Sequence, residues 1–220
     1  MRNIKLFLLL ASFSIFLFAC TNDVVDNIGD KDIDKNTVVT VVNQGNYMKF
    51  DKESQLFDDA ELVVIAETDT GFFDREHVVK YAEPDASGAE LPQAIEDFYT
   101  RTPIEILKVL KNSESAPVVE NEKMNIIEPI SLIEGDTESK IYSIENYNEI
   151  KEGERYVIYL KKNSYGEYGV INMNNGRFSL DSDGLKIQTL DQDHKNDQAE
   201  HNEFKQTVKE RFKTEIEVLN

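Results

Sequence analysis

Few side chains in this 220-residue chain stand at spacings that would let them exchange protons, hold a metal or attack a carbonyl. The histidines are His77, His194 and His201. His194 and His201 lie seven apart, so one helix would show both on a single face, with Asp193 and Glu200 beside them. A zinc centre needs three or four converging ligands, and neither His-Glu-x-x-His nor Cys-x-x-Cys occurs. The pair therefore reads as solvated residues near a helix start. His77, between Glu76 and Val78, reads as a strand residue rather than a base. Asp30, Asp32 and Asp34 alternate like the opening of a calcium loop. Lys35 stands where that loop turns on glycine, and Val41 where it ends on glutamate.

Neighbouring carboxylates such as Asp58 with Asp59, or Glu152 with Glu154, have the composition of an acid–base couple. Among 42 acidic residues such pairs arise without a cleft around them. No Gly-x-Ser-x-Gly, Ser-x-x-Lys or phosphate-binding glycine loop is present, so neither a cofactor nor a resident metal is expected. Tyr156, Tyr159, Tyr165 and Tyr168 cluster around one expected hairpin. Alternate members would form an aromatic ligand face; the competing reading is cross-strand packing.

The remaining reactive group is the only thiol, Cys20. It closes an uncharged, mostly apolar run, residues 6–19, that follows Arg2 and Lys5. The run is shorter than the ~20 apolar residues of a spanning helix. It has the length of a secretory signal core, about 7–15 residues. Leu17-Phe18-Ala19-Cys20 resembles a bacterial lipobox, although Phe18 is bulkier than that family usually carries. The resemblance implies cleavage between Ala19 and Cys20 and a diacylglycerol thioether on Cys20. It also implies lipid anchoring on the extracytoplasmic face of a bacterial cell membrane. An ordinary cleaved signal and an uncleaved anchor are the alternatives. Two acyl chains hold where one only visits, since each buried methylene contributes about 0.8 kcal/mol.

The formal charge is −18, and losing Arg2 and Lys5 with the leader deepens it by two. Such acidity argues against nucleic acid and against anionic lipid surfaces. Cationic partners and metal ions stay compatible with it. With a single cysteine, no disulfide within the chain is available, so packing and hydrogen bonds must stabilise the fold.

Four segments follow. Residues 1–19 are the signal peptide. Residues 20–36 are the lipidated cysteine and an acidic tether, reaching about 20 Å from the membrane. Residues 37–190 are a β-rich domain, and 191–220 a helix packed on it. Within the β-rich part, strands are expected at 37–42, 61–68, 76–82, 98–110, 126–133, 155–161 and 168–172. The fourth bends near Pro103, and Pro129 marks a bulge or edge in the fifth. Residues 47–50 are expected to return as a partner strand and Asp51 to cap a short helix. Residues 140–147 read as irregular. Hairpin turns are expected at 163–166, at Asn174-Asn175-Gly176 and at Asp183-Gly184. In the last segment Phe204, Val208, Phe212 and Ile216 recur every four, with Leu219 beyond and Asp197 and Glu200 at capping-box spacing. Its polar face mixes Glu203, Glu210 and Glu215 with lysines, which suits core packing better than a membrane surface.

Strands at intervals near 8–12 residues predict a mainly β protein, a small antiparallel barrel or sandwich with one long C-terminal helix. The series 58–66, 99–111 and 151–160 resembles netrin-like and related OB-type secreted barrels. In inhibitory members of that family a free N-terminal cysteine reaches a protease metal. Here that cysteine would carry lipid and the family's disulfides are missing, so the resemblance implies the barrel and not the inhibition. The expected function is a membrane-anchored binding module for an envelope protein, peptide or cation. The alternative is an envelope hydrolase using acidic residues.

Overall fold

The structure, a computed structural model, describes residues 38–83, 94–113, 118–135, 138–182, 185 and 192–220, with side chains in the last stretch from 197 onward. Cys20, the leader, the tether, its Asp30, Asp32 and Asp34, and the Asp183-Gly184 turn lie outside the described residues. So does the side chain of His194.

Two strands explain the architecture. β1 (Val38–Asn43) and α1 (Glu53–Asp59) precede β2 (Leu62–Glu67), an uninterrupted apolar run until its last residue. Leu62, Val64 and Ala66 point into one buried cluster, while Val63 and Ile65 point into another. The run is continuous because both faces are covered. β3 (Glu76–Tyr81), β4 (Ile95–Asn112), β5 (Lys123–Glu128), β6 (Ile130–Ile133) and β7 (Ser139–Ile144) follow. The second such strand is β8 (Tyr156–Lys162), with Tyr156, Ile158 and Leu160 in the first cluster and Val157 and Tyr159 in the second.

β2 pairs with β4, β4 with β5, β5 with β9 (Tyr168–Val170), β9 with β8, and β8 with β2, closing a five-stranded barrel. Counted along the chain, the circuit runs first, second, third, fifth, fourth, first, with the third–fifth contact parallel at Ile127↔Gly169. This is an OB-type order. The first cluster fills the barrel. The second lies outside it, where β2, β8 and β10 (Arg177–Ser179) are covered by α1 and by α2 (Gln192–Arg211). Leu56, Ala60, Phe178, Phe204, Val208 and Phe212 close that layer. Arg211 fastens the helices, its Nε 2.7 Å from the buried Glu53 carboxylate and its guanidinium 4.4 Å above the Phe57 ring. The four-residue apolar spacing of the terminal helix thus faces the sheet, as expected from a stripe that loses water on one side.

β4 is long enough to serve three partners. β3 flanks 95–101, β5 flanks 100–105, and β2 flanks 105–112 on the side that β3 has left. Pro103 falls between the ends of β3 and β2, where one flank needs no N–H donor.

Several expectations are corrected. The segment 126–133 is two strands. Pro129 ends β5, and β6 then joins a separate sheet of order β1-β7-β6. Of the segment 140–147, residues 140–144 are not irregular but belong to β7, the centre of that sheet, parallel to β1 and antiparallel to β6, while 145–147 turn away. β1 therefore pairs with β7 and not with 47–50, which form no strand. α1 starts after Lys52 without a side-chain cap, so Asp51 does not cap it. α2 begins at Gln192, which places Asp197 and Glu200 inside it. It breaks at Phe212 before α3 (Lys213–Val218). The Asn174-Asn175-Gly176 stretch belongs to a 3-10 turn (Met173–Gly176) between β9 and β10. Both of those strands pair with β8, at 160–162 and 156–158. Gly176 is needed there for space, since a Cβ would collide with the Ile171 carbonyl.

Candidate functional site

The hairpin joining β8 to β9 is fixed by one amide. Asn163 Oδ1 accepts from the N–H groups of Tyr165 (2.9 Å) and Glu167 (3.0 Å), and Gly166 takes a φ of 82°. This self-bonded turn holds Tyr165 outward, 80% exposed. Glu167 at its base accepts from Arg101 Nε at 3.0 Å, and Arg101 Nη1 donates to Glu76 at 2.6 Å. The Arg101 guanidinium sits 5.4 Å from the centre of the Tyr99 ring. Lys80 Nζ lies 5.4 Å from the Tyr99 ring and 5.4 Å from the Tyr165 ring, and donates to Asp97 at 3.3 Å. Its bond to Asp97 holds the Lys80 ammonium above its ordinary range, and the bond to Glu167 does the same for Arg101.

These residues form one side of a cleft of about 690 Å³. Its other side is built by Tyr142 and Ile144 of β7, Pro129 and the end of β1. Phe98 and Tyr142 meet edge-on with centroids 5.7 Å apart. The cleft thus combines aromatic rings with fixed charges of both signs. That chemistry suits stacking and polar recognition, and ligand sites commonly occupy about 300–1,000 Å³ with a few placed polar groups. It lies along the second and third barrel strands and the loop between the fourth and fifth, the region through which OB-type barrels hold ligands.

Of the four tyrosines expected to share a ligand face, the structure places only Tyr165 in the cleft. Tyr156, Tyr159 and Tyr168 are buried. For Tyr156 and Tyr159 the reason is the double covering of β8, where positions of either parity enter a core, while Tyr168 of β9 points into the barrel cluster. The Tyr156 hydroxyl donates to Glu154 at 2.9 Å and the Tyr159 hydroxyl to Glu53 at 2.8 Å. Burial raises both hydroxyls; the Arg177 charge partly offsets this at Tyr156, and the Glu53 charge adds to it at Tyr159. Tyr99, Tyr142, Phe98, Lys80 and Arg101 were not singled out from sequence. A signal existed in the alternation of Asp97, Tyr99 and Arg101, but its meaning depends on the register with β3.

His77 and His201 are structural. His201 is not solvated: it is buried, stacked 5.1 Å from Phe178 and 3.1 Å from Asn175 Oδ1. Burial, with the charges of Arg177 and Lys205, pushes its pKa down to about 3. His77 Nδ1 lies 3.1 Å from the Leu132 N–H and Nε2 3.0 Å from the Phe72 carbonyl. These bonds assign the neutral ring with the proton on Nε2. His77 thereby stitches β3 to β6. The acidic pairs also hold the frame: Asp59 binds Lys161 at 2.8 Å, and Glu154 accepts hydroxyls from Tyr156, Ser179 and Ser182, each at 2.9 Å. Among the described residues no three His, Cys, Asp or Glu side chains gather at a metal-binding distance. No described helix is long and apolar enough to cross a membrane.

No protein-family model, curated protein or solved structure matches the chain. Fold and cleft define a closed OB-type barrel with a ligand-sized opening on its second and third strands.

Proposed function

We propose that this chain is a lipid-anchored binding module of the bacterial cell envelope. Cys20 fastens it to the extracytoplasmic face, and the cleft beside β4 takes the ligand. The observation that carries the binding reading is the exposed Tyr165 ring. It projects from a rigid turn above a floor of Tyr99, Arg101 and Lys80, within a cleft of about 690 Å³. Beyond its contact with Lys80 the Tyr165 ring is left to solvent, and it offers a stacking surface to a partner. The placement on an OB-type barrel supports the reading by analogy of fold only.

The hydrolase alternative has less support. Of the three cleft carboxylates, Asp97 and Glu167 are each engaged by a cation, Lys80 and Arg101, which leaves Glu96 alone where an acid–base couple needs two. A general acid needs a carboxyl free to keep and release a proton. The test is direct. Tyr165→Ala and Arg101→Ala in the full chain should weaken retention of its envelope ligand tenfold or more while leaving the melting temperature within a few degrees. Retention unchanged in both variants would move the binding site elsewhere.

A further inference from the structure

The cleft opens where a sheet neighbour leaves. β4 pairs with β3 along 95–101, and on its other flank β5 pairs only from Thr100↔Glu128 onward. The next residue is Pro129, and the chain then enters β6, whose ladder is with β7. Among the described residues, therefore, β4 is paired along one flank only over 95–99, with a bulge at Glu96 between the pairs Lys80↔Asp97 and Tyr81↔Ile95.

The cleft meets that flank edge-on. A strand shows alternate side chains when viewed on its face. Here Ile95, Glu96, Asp97, Phe98 and Tyr99 all line the cleft in succession, with Pro129, Tyr142 and Ile144 opposite. Consecutive lining residues are what a strand edge presents. In an antiparallel strand, alternate residues aim their N–H and C=O away from the partner they already have. Those groups want a peptide backbone, and stacking of a sugar or a flat ring on Tyr165 leaves them unmet. Five residues of strand span about 17 Å.

Charge selects the segment. The formal charges on the cleft walls are Glu96, Asp97 and Glu167 against Lys80 and Arg101, on a chain of net charge −18. The Tyr165 and Tyr99 rings already hold one ammonium, that of Lys80. A basic side chain on the incoming segment meets the same aromatic faces. We propose that the cleft binds an extended, basic peptide segment, which adds as a strand to the free edge of β4 at 95–99. This rests on the cleft being the ligand site and names the class of ligand.

The test selects peptides on the full chain, in detergent, from a randomised seven-residue library with a fixed central lysine. Selected peptides are then remade with N-methyl groups on either of the two alternate sets of residues. Strand addition predicts that one set costs tenfold or more in affinity and the other less than twofold. It also predicts that amide exchange within 95–99 slows on binding, and that Tyr165→Ala weakens the unmethylated peptide. Selected peptides that tolerate both methylated sets, or leave exchange at 95–99 unchanged, overturn strand addition; if Tyr165→Ala still weakens them, the cleft stands. Oligosaccharides that bind in a Tyr165-dependent way, with no peptide selected, likewise overturn strand addition and keep the cleft. No peptide selected and no Tyr165-dependent ligand overturn both.

Discussion

Arg75 and Glu128, 53 residues apart, form an ion pair of 2.9 Å with both side chains wholly removed from solvent. Glu128 also accepts from the Tyr147 hydroxyl at 2.9 Å, from the Ile150 N–H at 2.7 Å and from the Thr102 hydroxyl. Arg75 gives its remaining donors to the Thr70 carbonyl, the Ile150 carbonyl and Thr102. The network ties the middle of β4 and the end of β5 to the segment leading into β8. A buried pair in which each oxygen and each guanidinium nitrogen has a partner avoids much of the desolvation penalty that an incomplete one carries. Losing one partner strands the other charge. Arg75→Met or Glu128→Gln is expected to cost about 3–5 kcal/mol in urea unfolding. The double variant R75M/E128M is expected to lose less than the sum of R75M and E128M. Additive losses would show that the pair is not coupled.

Asn172 sits in the left-handed region at a φ of 60°. Its side chain accepts from the Phe50 N–H at 3.0 Å and donates to the Phe50 carbonyl at 3.3 Å, pinning 47–50 although no strand forms there. Asn172→Ala is expected to lower stability by about 1–3 kcal/mol, combining lost hydrogen bonds with an unfavourable φ. Asn172→Gly should recover the backbone part only. Equal losses for the two variants would assign the whole effect to the side chain. Thermal and urea unfolding measure both.

The buried histidines set the acid sensitivity. His201 has a folded-state pKa near 3 against an ordinary 6.5, and burial also lowers His77. Between those values the unfolded chain binds protons that the folded chain does not, so stability rises with pH across the window. The His201 part is fully present above about 6.5 and declines toward pH 3, by up to about 1.4 kcal/mol per unit, and His77 adds in the same direction. The lowered Asp69 and Asp181, held by Lys123 and Arg155, act in the same direction at lower pH. His201→Phe should flatten the slope of unfolding free energy between pH 6.5 and 4, leaving the part due to His77. A slope identical to that of the parent would contradict this.

Much of the fold is readable in the residue pattern, for identifiable reasons. β2 and β8 stand out because each lies between two cores, so positions of both parities are apolar through 62–66 and 156–160. The terminal helix stands out because Phe204, Val208 and Phe212 keep one face. β7 does not stand out. Lys140, Tyr142 and Ile144 alternate with Ile141 and Ser143, and half-exposed strands in a small sheet need no clean apolar face. The Arg75–Glu128 pair could not be read, since nothing local links residues so far apart. Tyr165 was visible as part of a cluster, but the cleft depends on where Pro129 releases β5, which is a property of register. His201 reads as solvated because its neighbours in sequence are polar, while its burial comes from across the layer, where it stacks on Phe178 and meets Asn175.

Anchoring has its own measurement. Cys20→Ser should move the mature chain from the membrane fraction to the soluble one, and the parent should carry fatty acid at Cys20 by mass spectrometry. A parent that retains residues 1–19, or a bare Cys20, would contradict a lipid anchor.

The account turns on the cleft. The most direct measurement places a photo-crosslinking amino acid at position 165, and separately at position 218, in cells making the full chain. Val218 is also exposed, at 74%, but does not line the cleft. A defined adduct from position 165 that disappears with Arg101→Ala, and none from 218, is the predicted result. Adducts from 218 alone, or adducts at 165 indifferent to Arg101, would contradict a ligand held in the cleft.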